Sequence, residues 1–302
     1  MELGIVFLGT SAAVPTRYRG LPSIAVVHRG SIVLLDAGEG TQAALTRAGL
    51  SPLRVEAIFI THLHGDHFFG LPGLLQSMGM LGRKTPLLVA GPRGLYGFLR
   101  EAFRASRWLP GFPLYVAELE PGEKLVLPSG LEVESFPVSH TIPAMGYRLV
   151  EPRRKPRINI EKARRLGIEP GPLLAKLQRG EPVTVAGRIV RPEEVVEEQP
   201  RAVIVYTGDT RPCPTVVEAA RNATVLIHDA TFTSSMAREA YEQGHSTARD
   251  AARAASTADA RLLVLFHISA RYETPDPLLA EARIHHDNVV AAEDYLKIPI
   301  RP

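Results

Sequence analysis

The stretch Thr61-His62-Leu63-His64-Gly65-Asp66-His67 puts three imidazoles and a carboxylate within six positions. Neutral imidazole and carboxylate are nitrogen and oxygen ligands that suit zinc, and a cluster this dense can serve two adjacent ions. The cluster follows Val55-Glu56-Ala57-Ile58-Phe59-Ile60, an apolar run that reads as a buried strand, so its donors stand where a strand opens into a loop. A solvated histidine-rich turn is the bland alternative. Three further donors stand at the ends of apolar strands: His140 after Leu131 to Pro137, Asp209 after Ala202 to Tyr206, and His267 after Leu262 to Phe266. In sheet-based folds strand ends share one edge, where residues distant in sequence meet. Taken singly, each is as ready to cap or to hydrogen-bond. Together with the cluster they give six or seven ligands, the number two zinc ions need if each keeps a position for water.

The elements that must position these groups alternate along the chain. Leu3 to Leu8 reads as a strand and Gly9 to Gly20 as a small-residue loop ending in two arginines. Ser23 to His28 and Ser31 to Asp36 fit a hairpin about Arg29-Gly30, and a helix then runs through Arg47 to a stop at Gly49. Helical spacing covers Leu71 to Leu81 and Pro92 to Arg104, with strands at Leu87 to Ala90, Leu114 to Ala117 and Lys124 to Leu127. Ala223 to Ile227 is a strand leading into His228-Asp229, and two helical stretches reach about Ala255 with Gly244-His245-Ser246-Thr247 between them. This alternation predicts an α/β fold of sheets flanked by helices.

Between Glu151 and Pro200 the character changes, with seven prolines and a crowd of charge in place of apolar strands. Glu151 to Arg179 carries nine basic residues (Arg153, Arg154, Lys155, Arg157, Lys162, Arg164, Arg165, Lys176 and Arg179) against Glu151, Glu161 and Glu169, an excess of nine minus three, or six. The whole chain carries only +3. Asn159 can cap a helix ending at Gly167 and Pro172 can start another ending at Gly180, so residues 151–200 read as a partly helical insertion in a unit covering 1–302. A solvated charged loop is the plainer reading.

At 302 residues and 45% hydrophobic the chain can bury a large core. No leader precedes the first strand and no apolar run approaches the roughly 18 residues that span a bilayer, so a cytoplasmic protein with no membrane partner is expected. Cys213 is the sole cysteine, which excludes an intrachain disulfide and a thiolate zinc site; between Pro212 and Pro214 it reads as a packed bystander.

Thr-His-Leu-His-Gly-Asp-His resembles the signature of the metallo-β-lactamase superfamily. Further stretches resemble its ribonuclease Z branch: Phe7-Leu8-Gly9-Thr10, Tyr206-Thr207-Gly208-Asp209-Thr210, His228-Asp229-Ala230-Thr231-Phe232, Gly244-His245-Ser246-Thr247-Ala248 and His267-Ile268-Ser269-Ala270-Arg271-Tyr272. Pro170-Gly171-Pro172 resembles the Gly-Pro motif of that branch's transfer-RNA-binding exosite. The resemblance implies an αβ/βα sandwich of two mixed sheets flanked by helices, with a protruding exosite arm. It implies an endoribonuclease that cuts precursor transfer RNA at its 3′ end by attack of a hydroxide shared between two zinc ions, leaving a 3′-hydroxyl. His62, His64 and His140 would hold one Zn2+ of each subunit, Asp66, His67 and His267 the other, with Asp209 bridging; Mn2+ or Fe2+ could substitute. His245 would act as acid for the leaving oxygen, oriented by Asp229, and Asp66 would accept a proton from the nucleophilic water. Those nine basic residues with Gly171, Pro172 and Arg271 would bind RNA, in a homodimer with no DNA partner. The loop that reads Pro-x-Lys-x-Arg-Asn in many relatives is Pro15-Thr16-Arg17-Tyr18-Arg19-Gly20 here, and Asp229 stands where many have glutamate. Two other readings stay open: a small-molecule thioesterase, lactonase or phosphodiesterase on the same site, and a metal-free RNA-binding protein.

Overall fold

The computed structural model describes residues 2–153 and 156–301. The chain divides into two compact units, one formed by the residues up to Val150 together with Ala202–Arg301, the other by Glu151–Arg201.

Two mixed seven-stranded sheets build the larger unit. One runs in the order Lys297–Pro299, Leu3–Gly9, Ser23–His28, Ser31–Leu35, Val55–Phe59, Leu87–Gly91, Leu114–Glu118; the other Val289–Ala291, Leu263–Phe266, Val225–Asp229, Val203–Tyr206, Met145–Val150, Glu132–Pro137, Lys124–Val126. The unbroken apolar runs of the sequence have a simple cause: side chains alternate across a strand, and both faces here are buried. Leu3, Ile5 and Phe7 point into the layer between the sheets, where they join Tyr147, Tyr206 and Phe266. Val6 and Leu8 point the other way, into a layer with Leu45, Leu74, Leu75 and Met78 of the helices Thr41–Arg47 and Leu71–Met80. On the second sheet Leu263 and Leu265 face outward with Ala251, Ala252 and Ala255 of the helix Ala248–Thr257. Each fully buried Leu or Phe contributes roughly 1.5–3 kcal/mol.

The hairpin at Arg29-Gly30 has positive φ at both turn residues, +49° and +92°, the turn whose twist matches the flanking strands. Several boundaries and elements differ from the sequence reading. The helix expected from Pro92 begins at Leu95, because Gly94 takes φ +106° and Glu118 Oε1 accepts the amides of Gly94 and Tyr96 at 2.8 and 3.1 Å. The outer strands Val289–Ala291 and Lys297–Pro299 were not foreseen; at three residues each they are too short to carry an alternating pattern. Nor was the hairpin Val183–Val185/Arg188–Val190 in the smaller unit.

That smaller unit pairs Arg157–Ile158 with Val196–Glu197 and holds the helices Ile160–Arg165 and Pro172–Gln178. Asn159 caps the first by accepting the Lys162 amide at 3.0 Å. Ala163, Ile168, Leu174, Leu177, Val183, Val190 and Val195 form its own core. Among the described residues no helix is long and apolar enough to cross a membrane.

Candidate metal centre

The strand Val55–Phe59 ends at a threonine and two ligand-type histidines, and a one-turn helix, Gly65–Phe68, then turns Asp66 and His67 back toward them. Across from this edge stand His140, Asp209 and His267, each just beyond a strand of the other sheet. The edges are laced together where His62 bridges Ala144 and the Met145 amide donates to the Thr61 carbonyl at 3.0 Å. Ligand atoms of His62, His64, His140 and Asp209 all lie within 4.8 Å of one another, as do those of Asp66, His67 and His267, and those of Asp209, Asp229, His245 and His267. Asp209 is the common point: its Oδ2 stands 3.4 Å from His67 Nε2, 3.6 Å from His62 Nε2 and 3.9 Å from His140 Nε2, and its Oδ1 3.4 Å from His267 Nδ1.

Which nitrogen each ring presents follows from its partners. Thr61 Oγ1 donates to Asp36 at 2.9 Å, so it can only accept from His62 Nδ1 at 3.0 Å. Thr231 Oγ1 donates to Asp229 at 2.7 Å and accepts from His267 Nδ1 at 3.0 Å. His67 Nδ1 donates to Asp36 at 2.8 Å, and His140 Nδ1 to the Gly244 carbonyl at 2.8 Å. In all four rings Nδ1 carries a proton, so Nε2 presents the lone pair when the ring is neutral, the arrangement that outer partners impose on metal-binding histidines. His64 differs, turning Nδ1 to within 3.0 Å of His140 Nε2. Gly244 closes a helix at φ +87°, and a Cβ there would stand 2.6 Å from His140 Nδ1.

Sequence reasoning missed Asp36, Thr61, Thr231 and Gly244. Asp36 is fully buried and accepts from the Thr61 amide and hydroxyl, His67 and Tyr206, the last at 2.7 Å. Asp36 and His267 both hold left-handed backbone, at φ +58° and +59°, strain of the kind found at functional sites. Asp36→Asn is predicted to weaken metal affinity about 10–100-fold by loosening His62 and His67 together. Chelator competition checks it, and unchanged affinity would remove Asp36 from the centre.

The residues present fit divalent cations. His62 Nε2 and Asp209 Oδ1 are buried and have no hydrogen-bond partner among the described residues, a costly state that a ligated cation relieves. His67 Nε2 and His267 Nε2 face each other at 3.3 Å. Burial, with His67 nearby, holds His62 well below the ordinary histidine range and hence neutral. Burial also opposes the charge on Asp66, but His267 and His67 outweigh it and keep its carboxyl well below the usual range. His67 is the exception: against its burial, Asp209 and Asp36 raise it strongly, so metal entry must displace a proton there.

Beside this cluster His245 Nδ1 bonds Asp229 Oδ2 at 2.9 Å, and its ring stacks on His267 with centroids 5.1 Å apart. Burial works against a charge on His245, but Asp229 outweighs it and the imidazole is pushed up to about 9. The aspartate, one methylene shorter than glutamate, reaches His245 and also holds His267 through Thr231. Arg271 lies over the Phe232 ring at 4.9 Å, and that ring lies 6.2 Å from His245.

The described basic residues of 151–179 belong to the smaller unit. Arg153, Arg157, Lys162, Arg164, Arg165, Gly171, Pro172, Lys176 and Arg179 are exposed there, while Arg154 and Lys155 lie outside the described residues. Lys162 pairs with Glu197 at 2.8 Å and Arg179 with Glu181 at 3.0 Å. Residues 180–201 add three arginines and five glutamates, so the unit's excess falls from six to four.

Residues 19–155 match the metallo-beta-lactamase superfamily and residues 171–268 a beta-lactamase superfamily domain. The chain is 44% identical over 305 residues to ribonuclease Z of Methanosarcina acetivorans, covering 99% of each protein. It is also 44% identical over 291 residues to ribonuclease Z of Myxococcus xanthus, covering 95% of this chain and 94% of that one. The crystal structure of human tRNase Z, short form, superimposes with a TM-score of 0.72 at 28% identity, over 99% of this chain and 100% of that one. Family and donor clusters together point to a divalent metal. The chain belongs to the ribonuclease Z family of the metallo-β-lactamase superfamily.

Proposed function

We propose that this protein is a metal-dependent endoribonuclease that cuts precursor transfer RNA at its 3′ end and leaves a 3′-hydroxyl on the transfer RNA. The observation that carries the chemistry is the convergence of seven nitrogen and oxygen donors, His62, His64, Asp66, His67, His140, Asp209 and His267, from two sheet edges. The substrate is carried by membership of the family. Two Zn2+ per subunit is our reading of the donor set, with His62, His64 and His140 on one ion, Asp66, His67 and His267 on the other, and Asp209 between them. When bound, such ions neutralise charge on the phosphodiester and acidify water.

The chain's own side chains do the rest. Asp66 accepts the proton of the attacking water. His245, with Nδ1 held by Asp229, keeps its other proton on Nε2 and delivers it to the leaving 3′ oxygen. The exposed cations of residues 151–179 and Arg271 grip phosphates of the folded RNA away from the cut. The reading includes a cytoplasmic homodimer, checked by light scattering.

End-labelled precursor transfer RNAs, with and without an encoded CCA, test the proposal. The expected result is a single new 3′ end with a free hydroxyl, made by the wild type and not by Asp209→Ala. Identical ends from both proteins would overturn it.

His245 makes a pH prediction. In the metal-free protein it stays charged until the pH rises through about 9. Cations on neighbouring ligands repel its proton, so the basic limb of kcat in the loaded enzyme lies below that value. Asp229→Asn removes the group that raises the imidazole, which moves the limb to still lower pH, and His245→Ala costs about 100-fold or more in kcat. A pH profile unmoved by Asp229→Asn would exclude His245 as the acid.

A further inference from the structure

Tyr18 is the exposed aromatic whose loop stands on the metal centre. The segment Ala13 to Gly20 has both feet there. Ser11–Ala12 pairs in parallel with Ile268–Ser269, immediately after His267, and the Ala13 amide donates to Asp66 Oδ2 at 3.1 Å. At the far end the Arg19 guanidinium, only 9% exposed, donates to the carbonyls of Tyr272 and Glu273, and the Gly20 amide donates to Asp294 Oδ2 at 2.7 Å. The turn between is fixed from within: the Thr16 amide donates to the Arg19 carbonyl at 2.8 Å, while Thr16 Oγ1 accepts the amides of Tyr18 and Arg19 at 3.2 and 2.9 Å. A turn this fully bonded serves to present its apex. The apex is Arg17 and Tyr18, and Tyr18 is 74% exposed.

The Arg17 guanidinium lies over one face of that ring, 5.5 Å from its centroid. At 74% exposure the residue leaves much of the ring to solvent. A flat, rigidly mounted aromatic face with a cation behind it is what an unstacked nucleobase lies on, and RNA is bound at its single-stranded ends by such stacking. We propose that Tyr18 is a substrate-positioning platform on which a base flanking the scissile phosphate stacks, with Arg17 bracing the ring and supplying charge to the adjoining backbone. This rests on the ribonuclease reading and adds a recognition element to it: a base next to the cut is held by its π-face, whatever its identity.

The test uses precursor transfer RNAs carrying an abasic residue at one or other of the two nucleotides flanking the cut, and a parallel pair with 2-aminopurine there. Tyr18→Ala is expected to lower kcat/KM about 10-fold on the intact substrate and Tyr18→Trp to stay near wild type. Removal of the stacked base should cost the wild type about the same 10-fold and cost Tyr18→Ala nothing more. Binding to the wild type should quench 2-aminopurine at that position, and binding to Tyr18→Ala should not. Full activity of Tyr18→Ala, a loss undiminished on both abasic substrates, or 2-aminopurine unquenched by the wild type would overturn the platform. A wild type that binds and quenches but never cuts precursor would instead sink the ribonuclease reading.

Discussion

Asp209→Ala is expected to abolish cleavage and to purify with little metal. One oxygen of this carboxylate stands 3.4–3.9 Å from nitrogens of His62, His67 and His140, and the other 3.4 Å from His267. Among the described residues it approaches histidines of both proposed donor sets, so its removal is expected to strip charge and a ligand from each at once. Losing an outer partner of a ligand costs about 10–100-fold in affinity; losing the shared ligand itself costs more than about 100-fold. A second consequence has a definite sign. Asp209 is the leading group that raises His67, so in the metal-free variant that imidazole gives up its proton at lower pH than in the wild type. Elemental analysis together with an imidazole titration by NMR checks both, and a variant with full metal content and wild-type rate would remove Asp209 from the centre.

Replacing Glu151–Arg201 by a short Asn-Gly turn is expected to lower cleavage of precursor transfer RNA about 1000-fold while hydrolysis of a small nitrophenyl phosphodiester continues. The segment departs from and returns to two strands that are already neighbours: Met145–Val150 and Val203–Tyr206 pair antiparallel with Val150 opposite Val203. A tight turn can therefore close the gap as an ordinary hairpin. The segment's core is its own. What goes is a set of cations, Arg157, Arg164, Arg165 and Lys176 among them, that form no ion pair among the described residues. Several phosphate contacts carry several powers of ten in affinity, and the steepness of the salt dependence should fall with them. Parallel loss of both activities would mean that the segment supports the sheets instead.

Groups whose chemistry is loud were readable in advance. Six of the seven donors are histidine or strand-end aspartate beside an apolar run, and the layered α/β fold followed from runs such as Leu3 to Leu8 that are apolar on both faces. Asp36 was hidden because an aspartate before a glycine and a helix is the commonest kind of turn residue; only the paired strands reveal that it points back at Thr61, His67 and Tyr206. Thr61 and Thr231 were hidden for a related reason, since a hydroxyl acquires its meaning from the carboxylate that takes its proton. The turn at Ala186-Gly187, with φ of +49° and +81°, lacks the Asn-Gly or Asp-Gly that would have announced a hairpin.

His67 and His267 stand 200 residues apart in the chain and 3.3 Å apart in space. An ion held between such donors is a covalent-like crosslink closing a very long loop, and loop-closure entropy rises only slowly with length, by about 0.6 kcal/mol per doubling. In a protein whose single cysteine cannot make a disulfide with itself, such an ion would add a crosslink to the strand pairing of Leu3–Gly9 with Lys297–Pro299 that already joins the two ends of the fold. Its supply would then bear on how long the sheets stay together as well as on how fast they work.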